Sequence, residues 1–388
     1  MDELQIGITR LIKSAITGEK ITVSGKFNWN RALEIAVKHQ IGVLLYCGIL
    51  NSDVDVPSEL LKHFENLAYK SIALNHKQLY ELEEIYNEFD RNGIDYMPIK
   101  GAVIKYLYPK PEMRVMCDAD ILIKPEQYDK IAHIMRKAEF KETIESDHEF
   151  VWDKNVIHIE FHKRLIPSYN KDYYAYYGDG WRLAKTDRGS RFKMSDEDTF
   201  VYIFTHFAKH YRDGGIGIRH ITDFYVYLSA KPNMDIGYIE SELAKLELLD
   251  FYNNTVHTFN VWFGTEIGDE MSDFITDKIF GSGSYGTYKS HVLSSAVKTS
   301  NSDRNVKTKK LFNLIFLPYK SMCKKYPILK KFPMLLPIMW VLRGINAVVY
   351  HKDRIARQQR DLKIITDDNV KKYKQELNYV GLKFNFKE

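Results

Sequence analysis

The sequence predicts a mixed chain, α+β or α/β, in which a compact unit of short strands and two helices is set between helical regions. Three observations predict it. Residues 1–90 place apolar side chains at helical spacing, the pattern breaks at Asn92-Gly93 into apolar runs of strand length, and helical periodicity returns after Ser195. The boundaries that follow are an N-terminal helical region over 1–90, a core over 91–194, a helical domain over 195–300 and a basic helical region over 301–388. No internal repeat of fixed period is visible.

In the first region Leu4, Ile8, Leu11, Ile12 and Ala15 recur as one helix face, and Trp29–Lys38 and Pro57–Glu88 read alike. Pro57 suits a first helical turn, and no Gly or Pro follows until Gly93. Tyr96–Ile99 is a short strand, Ala102–Tyr108 a helix ended by Pro109 and Pro111, and Ala119–Ile123 an apolar strand. Pro125 opens the helix Glu126–Lys137. Phe140–Glu145 and Glu149–Asp153 are strand-like, and a turn at Asp153-Lys154-Asn155 leads into Val156–His162. Lys163–Met194, rich in Tyr, Gly and Asp, reads as irregular. Ser195-Asp196-Glu197-Asp198 resembles a capping box opening the helix Thr199–Tyr211. Gly214, Gly215 and Gly217 break that helix before Ile218–Ser229, and Ser282–Arg304 reads as a polar connection.

Composition narrows the classes. Of 388 residues 45% are apolar and 28% charged, with 26 Tyr and 21 Phe, so core material is plentiful and wholesale disorder is excluded. A net charge of +5 does not by itself argue for nucleic-acid binding. Cys47, Cys117 and Cys323 are too few and too scattered for a disulfide framework or a Cys-based zinc site, which suits a reducing, cytoplasmic compartment. The acidic start Met1-Asp2-Glu3 has no long apolar run, so no signal peptide is expected. The most apolar late stretch is Phe332–Tyr350. Its longest uncharged run, residues 332–342, reads as too short to span a bilayer.

Chemistry concentrates in Cys117-Asp118-Ala119-Asp120-Ile121-Leu122-Ile123. Residues two apart on a strand share a face, so Asp118 and Asp120 project together. Two neighbouring carboxylates repel unless a cation lies between them, and hard oxygen donors suit Mg²⁺. Two solvated aspartates at a strand start would read the same way. In Val-Ile-His-Ile-Glu-Phe-His, residues 156–162, His158, Glu160 and His162 share one face and Ile157, Ile159 and Phe161 the other. Glu160 could complete a three-carboxylate site, while the two histidines fit a solvated polar face. Lys100-Gly101 joins a strand to a helix, where a glycine lets a phosphate approach the backbone; an ordinary turn is the plainer reading. Lys100 and Arg114 add positive charge near the aspartates.

The order Pro98-Ile99-Lys100-Gly101, Tyr108-Pro109, Arg114-Val115-Met116, Asp118-Ala119-Asp120-Ile121-Leu122-Ile123 and His158-Ile159-Glu160-Phe161-His162 resembles the uncharacterised bacterial nucleotidyltransferase family of the DNA polymerase β-like superfamily. It is most specific over Tyr96–Lys124 and continues loosely through residues 205–210 and 217–223. The resemblance implies an α+β fold whose core is a small mixed sheet with flanking helices, embedded in helical regions. It implies Asp118, Asp120 and Glu160 as metal-binding catalytic carboxylates, Mg²⁺ (with Mn²⁺ as the other candidate) as cofactor, and a nucleoside triphosphate such as ATP as substrate. A nucleoside monophosphate would pass to an acceptor hydroxyl with release of pyrophosphate. Lys100, Gly101 and Arg114 would bind the nucleotide. The superfamily's usual Gly-Ser at the phosphate turn is Gly101-Ala102 here, so the serine hydroxyl is absent. That departure motivates the competing reading of an inactive nucleotide-binding or scaffold protein. The acceptor stays open between a small molecule, a glycan precursor, a protein and a tRNA end.

A second polar cluster, His206, Lys209 and His210, lies along one side of the helix Thr199–Tyr211, and Arg219 and Asp223 lie on the next. Nucleotide or acceptor binding, a satisfied histidine pair and a zinc pair compete for the first cluster; a surface ion pair competes for the second. From Arg304 to Arg360 fourteen Lys or Arg face only Asp353, a net +13 that leaves −8 for the rest. Ile338, Val341, Leu342, Ile345, Val348 and Val349 form one helical stripe there, with Arg343 and Asn346 towards the other side. Burial of that stripe on the enzyme, peripheral contact with an anionic membrane at the inner surface, and contact with RNA are the three readings of 304–360.

Overall fold

Ala119, Ile121 and Ile123 alternate with Asp118, Asp120 and Leu122, and a sheet sorts the two sets onto opposite faces. In the computed structural model, which describes residues 1–23, 26–284, 286–298 and 306–383, the chain forms two units. One comprises Met1–Tyr211, Gly215–Tyr285 and Val380–Glu388, the other Arg212–Gly214 and Gly286–Tyr379.

The first unit opens with helices α1 (Glu3–Thr17), α2 (Trp29–His39), α3 (Gly42–Leu50) and α4 (Ser58–Arg91). Asp2 and Gln5 cap α1 reciprocally, at 2.7 and 2.9 Å, and Gly18 ends it in a left-handed turn. Then come β1 (Tyr96–Pro98), the single-turn α5 (Gly101–Ile104), β2 (Asp118–Ile123), α6 (Tyr128–Lys137), β3 (Lys141–Glu145), β4 (Glu149–Lys154) and β5 (Ile157–His162). After α7 (Lys171–Tyr177), β6 (Lys185–Arg188) and β7 (Arg191–Lys193) follow α8 (Asp196–Asp213), α9 (Ile218–Ala230), α10 (Ile236–Lys245), α11 (Leu249–Phe263) and α12 (Glu270–Ser282). The Ser195 hydroxyl accepts the Asp198 backbone N–H at 3.0 Å, as the capping pattern predicts.

Among the described residues the sheet has seven strands in the order β3-β4-β5-β2-β1-β7-β6. β2 and β5 are parallel neighbours, as are β1 and β7, while β1–β2, β3–β4, β4–β5 and β6–β7 are antiparallel. The architecture is α+β, with flanking helices as expected. On one face α4 (Leu82, Ile85, Phe89) and α6 (Ile131, Met135) pack on Ala119, Ile121, Ile159 and Phe161. Each fully buried aliphatic or aromatic side chain there contributes about 1.5–3 kcal/mol.

Residues 163–194 are not irregular throughout. α7 buries Tyr173 and Tyr177, and the β6–β7 hairpin extends the sheet beyond β1. That hairpin is polar because it forms the sheet's edge, so it lacks the apolar alternation that marks inner strands. The polar connection 282–304 likewise holds a helix, α13 (Tyr288–Lys298); residues 285 and 299–305 lie outside the described residues.

The second unit continues with α14 (Val306–Ile315), α15 (Tyr319–Lys325), α16 (Leu336–Tyr350), α17 (Lys352–Ile364) and α18 (Asp367–Tyr379). A small core of Met322, Cys323 and Leu329 gathers Leu317, Tyr326, Leu336 and Trp340 around it. Arg304 and the side chains of Lys309, Lys352 and Arg354 lie outside the described residues. Pro333–Tyr350, eighteen residues with mean hydropathy 1.4 and none buried, is long and apolar enough to cross a membrane by length and composition. This corrects the expectation drawn from the run 332–342, because Arg343 is the single charge in the longer stretch. The three cysteines are free thiols.

Candidate active site

β2 and β5 pair in parallel with Asp118 opposite His158, Asp120 opposite Glu160 and Leu122 opposite His162. The strand period of two therefore sets Asp118, Asp120, Glu160 and His162 on the face turned away from the apolar core. His158 is drawn aside: its Nδ1 lies 2.5 Å from Asp153 Oδ1 and the ring is half exposed, in keeping with the polar-face reading.

Asp120 is the most heavily held. Lys100 Nζ donates to its Oδ1 at 2.5 Å and His162 Nε2 donates to the same oxygen at 2.7 Å. His162 Nε2 also lies 3.4 Å from Glu160 Oε2, and its Nδ1 lies 3.1 Å from His148 Nε2. Among the described residues, Asp120, Glu160 and His162 form one group close enough to hold an ion, and His148, Glu149 and His162 form another. Asp118 stands outside the tighter group, on the same face and within electrostatic reach of both carboxylates.

Charge follows from burial and partners. Burial, then Asp120 and Glu160, push the Asp118 carboxyl up to about 6. Burial would also raise Asp120, but Lys100 and His162 outweigh it and hold that carboxyl well below the usual range. Burial works against the charge on Lys100, yet Asp120, with Tyr202 and Glu160, brings its net shift upward. His162 is lowered by burial and by Lys100, and raised further by Asp120 and Glu160, so its net shift is upward. Burial and the His162 ring push His148 down to about 2.

Lys100 sits at φ 51°, ψ −122°, a conformation that L side chains seldom adopt, at the turn before α5. Gly101 is required by packing: a Cβ there would lie 2.7 Å from Arg114 Nη1. Arg114 is clamped at two points by Asp223, Nε to Oδ1 at 3.2 Å and Nη2 to Oδ2 at 2.9 Å, with both partners buried. Tyr108 Oη donates to the same carboxylate at 2.7 Å. Asp223 therefore pairs with Arg114 across the fold rather than with Arg219 along its own helix. Arg219 Nη1 instead donates to the Val115 carbonyl at 2.9 Å and to Gln40 Oε1 at 3.1 Å, and its charge reaches Asp118.

His206 and His210 meet Nε2 to Nε2 at 3.1 Å. Burial, followed by Lys100 for His206 and by Lys209 for His210, holds both rings far below the ordinary imidazole range, so they are neutral at pH 7. They are not among the groups able to hold an ion. Lys209 acts electrostatically on His148, His206 and His210, which places it beside the site. Sequence reasoning did not single out His148 or Glu149, weighed Asp223 as a partner of Arg219 rather than of Arg114, and gave His162 no role beyond a polar face. The His-x-Glu-x-His alternation was the available signal for His162.

Carboxylates on adjacent parallel strands, with the half-buried Lys100 ammonium and the buried Arg114 guanidinium near them, can hold a divalent cation and meet a phosphate group. The family model described as "Uncharacterised nucleotidyltransferase" matches residues 25–264, and the chain belongs to that family. No curated protein and no solved structure matches the chain.

Proposed function

We propose that the chain transfers a nucleoside monophosphate from a nucleoside triphosphate to an acceptor hydroxyl, with Mg²⁺ held by Asp118, Asp120 and Glu160. The observation that carries this reading is the parallel register of β2 and β5, which brings the three carboxylates to one face. The donor set fits the ion: the oxygens are hard, and the Asp118 carboxyl, raised first by burial and then by Asp120 and Glu160, is one whose charge a cation would favour. Mn²⁺ suits the same donors. When bound, the metal supplies positive charge to the triphosphate and acidity to the acceptor hydroxyl.

The chain's own groups do the rest. The acceptor oxygen bonds to the α-phosphorus, the bond to the bridging oxygen breaks, and pyrophosphate leaves with that electron pair. Glu160 receives the hydroxyl proton. Lys100, at the turn before α5, would meet the β- and γ-phosphates. Arg219 adds charge beside Asp118, and Arg114, held by Asp223, braces the turn at Gly101. His206, Lys209 and His210 line the nucleotide side. The acceptor hydroxyl belongs to a small molecule, a glycan precursor, a protein or a tRNA end.

Incubation with α-labelled nucleoside triphosphates, Mg²⁺ and a fractionated lysate should give a labelled product identifiable by mass. Asp120→Asn should lower transfer by about 10²-fold or more. Full activity in Asp120→Asn would sink the reading. Metal-dependent nucleotide binding without product in any fraction would favour the scaffold alternative that Ala102 motivates.

A further inference from the structure

Helix α16 is turned inside out. Its half-buried side carries Leu336, Met339, Trp340, Arg343 and Ala347. Trp340 Nε1 donates to the Leu317 carbonyl at 3.0 Å, Trp340 meets Phe316 edge-on at 5.1 Å, and Arg343 donates to the Leu314 carbonyl. The opposite side is Ile338, Val341, Leu342, Ile345, Val348 and Val349, each 49–63% exposed. A surface helix of a water-soluble fold turns its aliphatic stripe inward and its polar groups out. Here the one cation faces in and the aliphatic stripe faces out. Of twenty-nine exposed large apolar side chains among the described residues, fifteen fall between 311 and 350. A patch of that density marks contact with another apolar phase.

Charge says which phase. Lys307, Lys320, Lys324, Lys325, Lys330 and Lys331 are exposed along the same segment, and no Asp or Glu occurs between 304 and 352. Six like charges disfavour pairing with a second copy of the chain. The outer stripe of α16 is Ile, Val and Leu, which suits acyl chains rather than stacked bases, and the exposed Phe312, Phe332 and Tyr350 of the same segment suit a membrane interface as well. Aliphatic side chains beside lysines fit a bilayer surface with anionic headgroups, where the stripe enters the acyl boundary and the ammonium groups meet phosphate. Because Trp340 and Arg343 are committed to the rest of the unit, α16 lies along the surface rather than through it.

We propose that residues 306–350 bind the enzyme peripherally to an anionic membrane, with the outer stripe of α16 as the inserted face. The full-length protein should float with phosphatidylcholine vesicles containing about one third phosphatidylglycerol, and more weakly with phosphatidylcholine alone or in high salt. Val341→Asp with Ile345→Asp should weaken flotation about tenfold or more, and Lys324→Glu, Lys325→Glu, Lys330→Glu and Lys331→Glu together should remove the preference for anionic vesicles. The second variant leaves all apolar packing in place, so it stands if the first misfolds. Alkaline carbonate should release the protein from membranes of the expressing cell. Four results would each overturn the proposal: no flotation, flotation indifferent to both variants, binding to a single-stranded RNA but not to vesicles, or resistance to carbonate release.

Discussion

Lys100 Nζ lies 2.5 Å from Asp120 Oδ1, and Lys100 makes this contact from a backbone at φ 51°. A non-glycine residue there carries about 1–3 kcal/mol of strain, tolerated where a side chain is required in one place. Lys100→Gly and Lys100→Ala both remove the ammonium, but only glycine also removes the strain. Chemical denaturation should find the Gly variant about 1–2 kcal/mol more stable than the Ala variant. Both should bind Mg²⁺ more tightly than wild type without nucleotide, because Asp120 has lost its internal competitor. Both should bind nucleoside triphosphate more weakly. Calorimetry on the three proteins checks each sign, and unchanged metal affinity would mean that Lys100 and the ion do not share Asp120.

Asp118 shifts the opposite way from Asp120. Its carboxyl is raised to about 6 by burial and by Asp120 and Glu160. Between the ordinary carboxylate range and pH 6 the folded metal-free protein holds a proton that the unfolded chain releases, so this group's contribution to stability falls as pH rises through that window. Asp118→Asn removes the repulsion and should stabilise the metal-free protein at pH 7.5 by an amount of order 2 kcal/mol. It should also abolish the rise in Tm that Mg²⁺ gives the wild type. Proton and metal compete for the same oxygens, so Mg²⁺ affinity should fall about tenfold per pH unit below pH 6 and level off above it. Thermal denaturation with and without Mg²⁺ across pH 5–8 reads all three effects.

How much of this was legible beforehand follows from what each residue depends on. The alternation of Asp118–Ile123 and Ile157–His162 is local, so both strands and their polar faces could be read from spacing. Their parallel pairing joins residues forty apart and leaves no local trace, which is why His162 could not be told from a solvated histidine. Asp223 leaves Arg219, the partner that helical spacing suggests, for the same reason: it finds Arg114 across the fold. For α16 the amphipathic stripe is plain in the sequence, but periodicity states only that two faces differ. Which one turns inward depends on Leu314, Phe316 and Leu317, the partners that hold Trp340 and Arg343.

His162 connects the two groups able to hold an ion, and its raised pKa gives a signature of its own. Burial and Lys100 oppose the charged ring, and Asp120 and Glu160 reverse them. A histidine raised in the folded state lends stability in full below its unfolded value, and that stability is lost as pH rises through the folded value. In the presence of chelator, His162→Phe should therefore cost more stability at pH 6 than at pH 8.5. Urea denaturation at the two values checks this, and an equal cost at both would show that the ring is neutral throughout.

The Arg114–Asp223 clamp fixes the floor beneath the Lys100-Gly101 turn, since Gly101 has no room for a Cβ against the guanidinium. Removing either partner alone leaves a buried, uncompensated charge, a loss of about 3–5 kcal/mol. Arg114→Met with Asp223→Leu replaces both by apolar groups, so the double variant should recover much of that loss. The turn would then rest on apolar packing, and Tyr108 Oη would lose its acceptor. Transfer should consequently stay impaired in the double variant although its stability returns, with KM for nucleotide raised more than kcat is lowered. A double variant with restored stability and full activity would mean that the clamp serves the fold alone and that Arg114 has no part in shaping the phosphate turn.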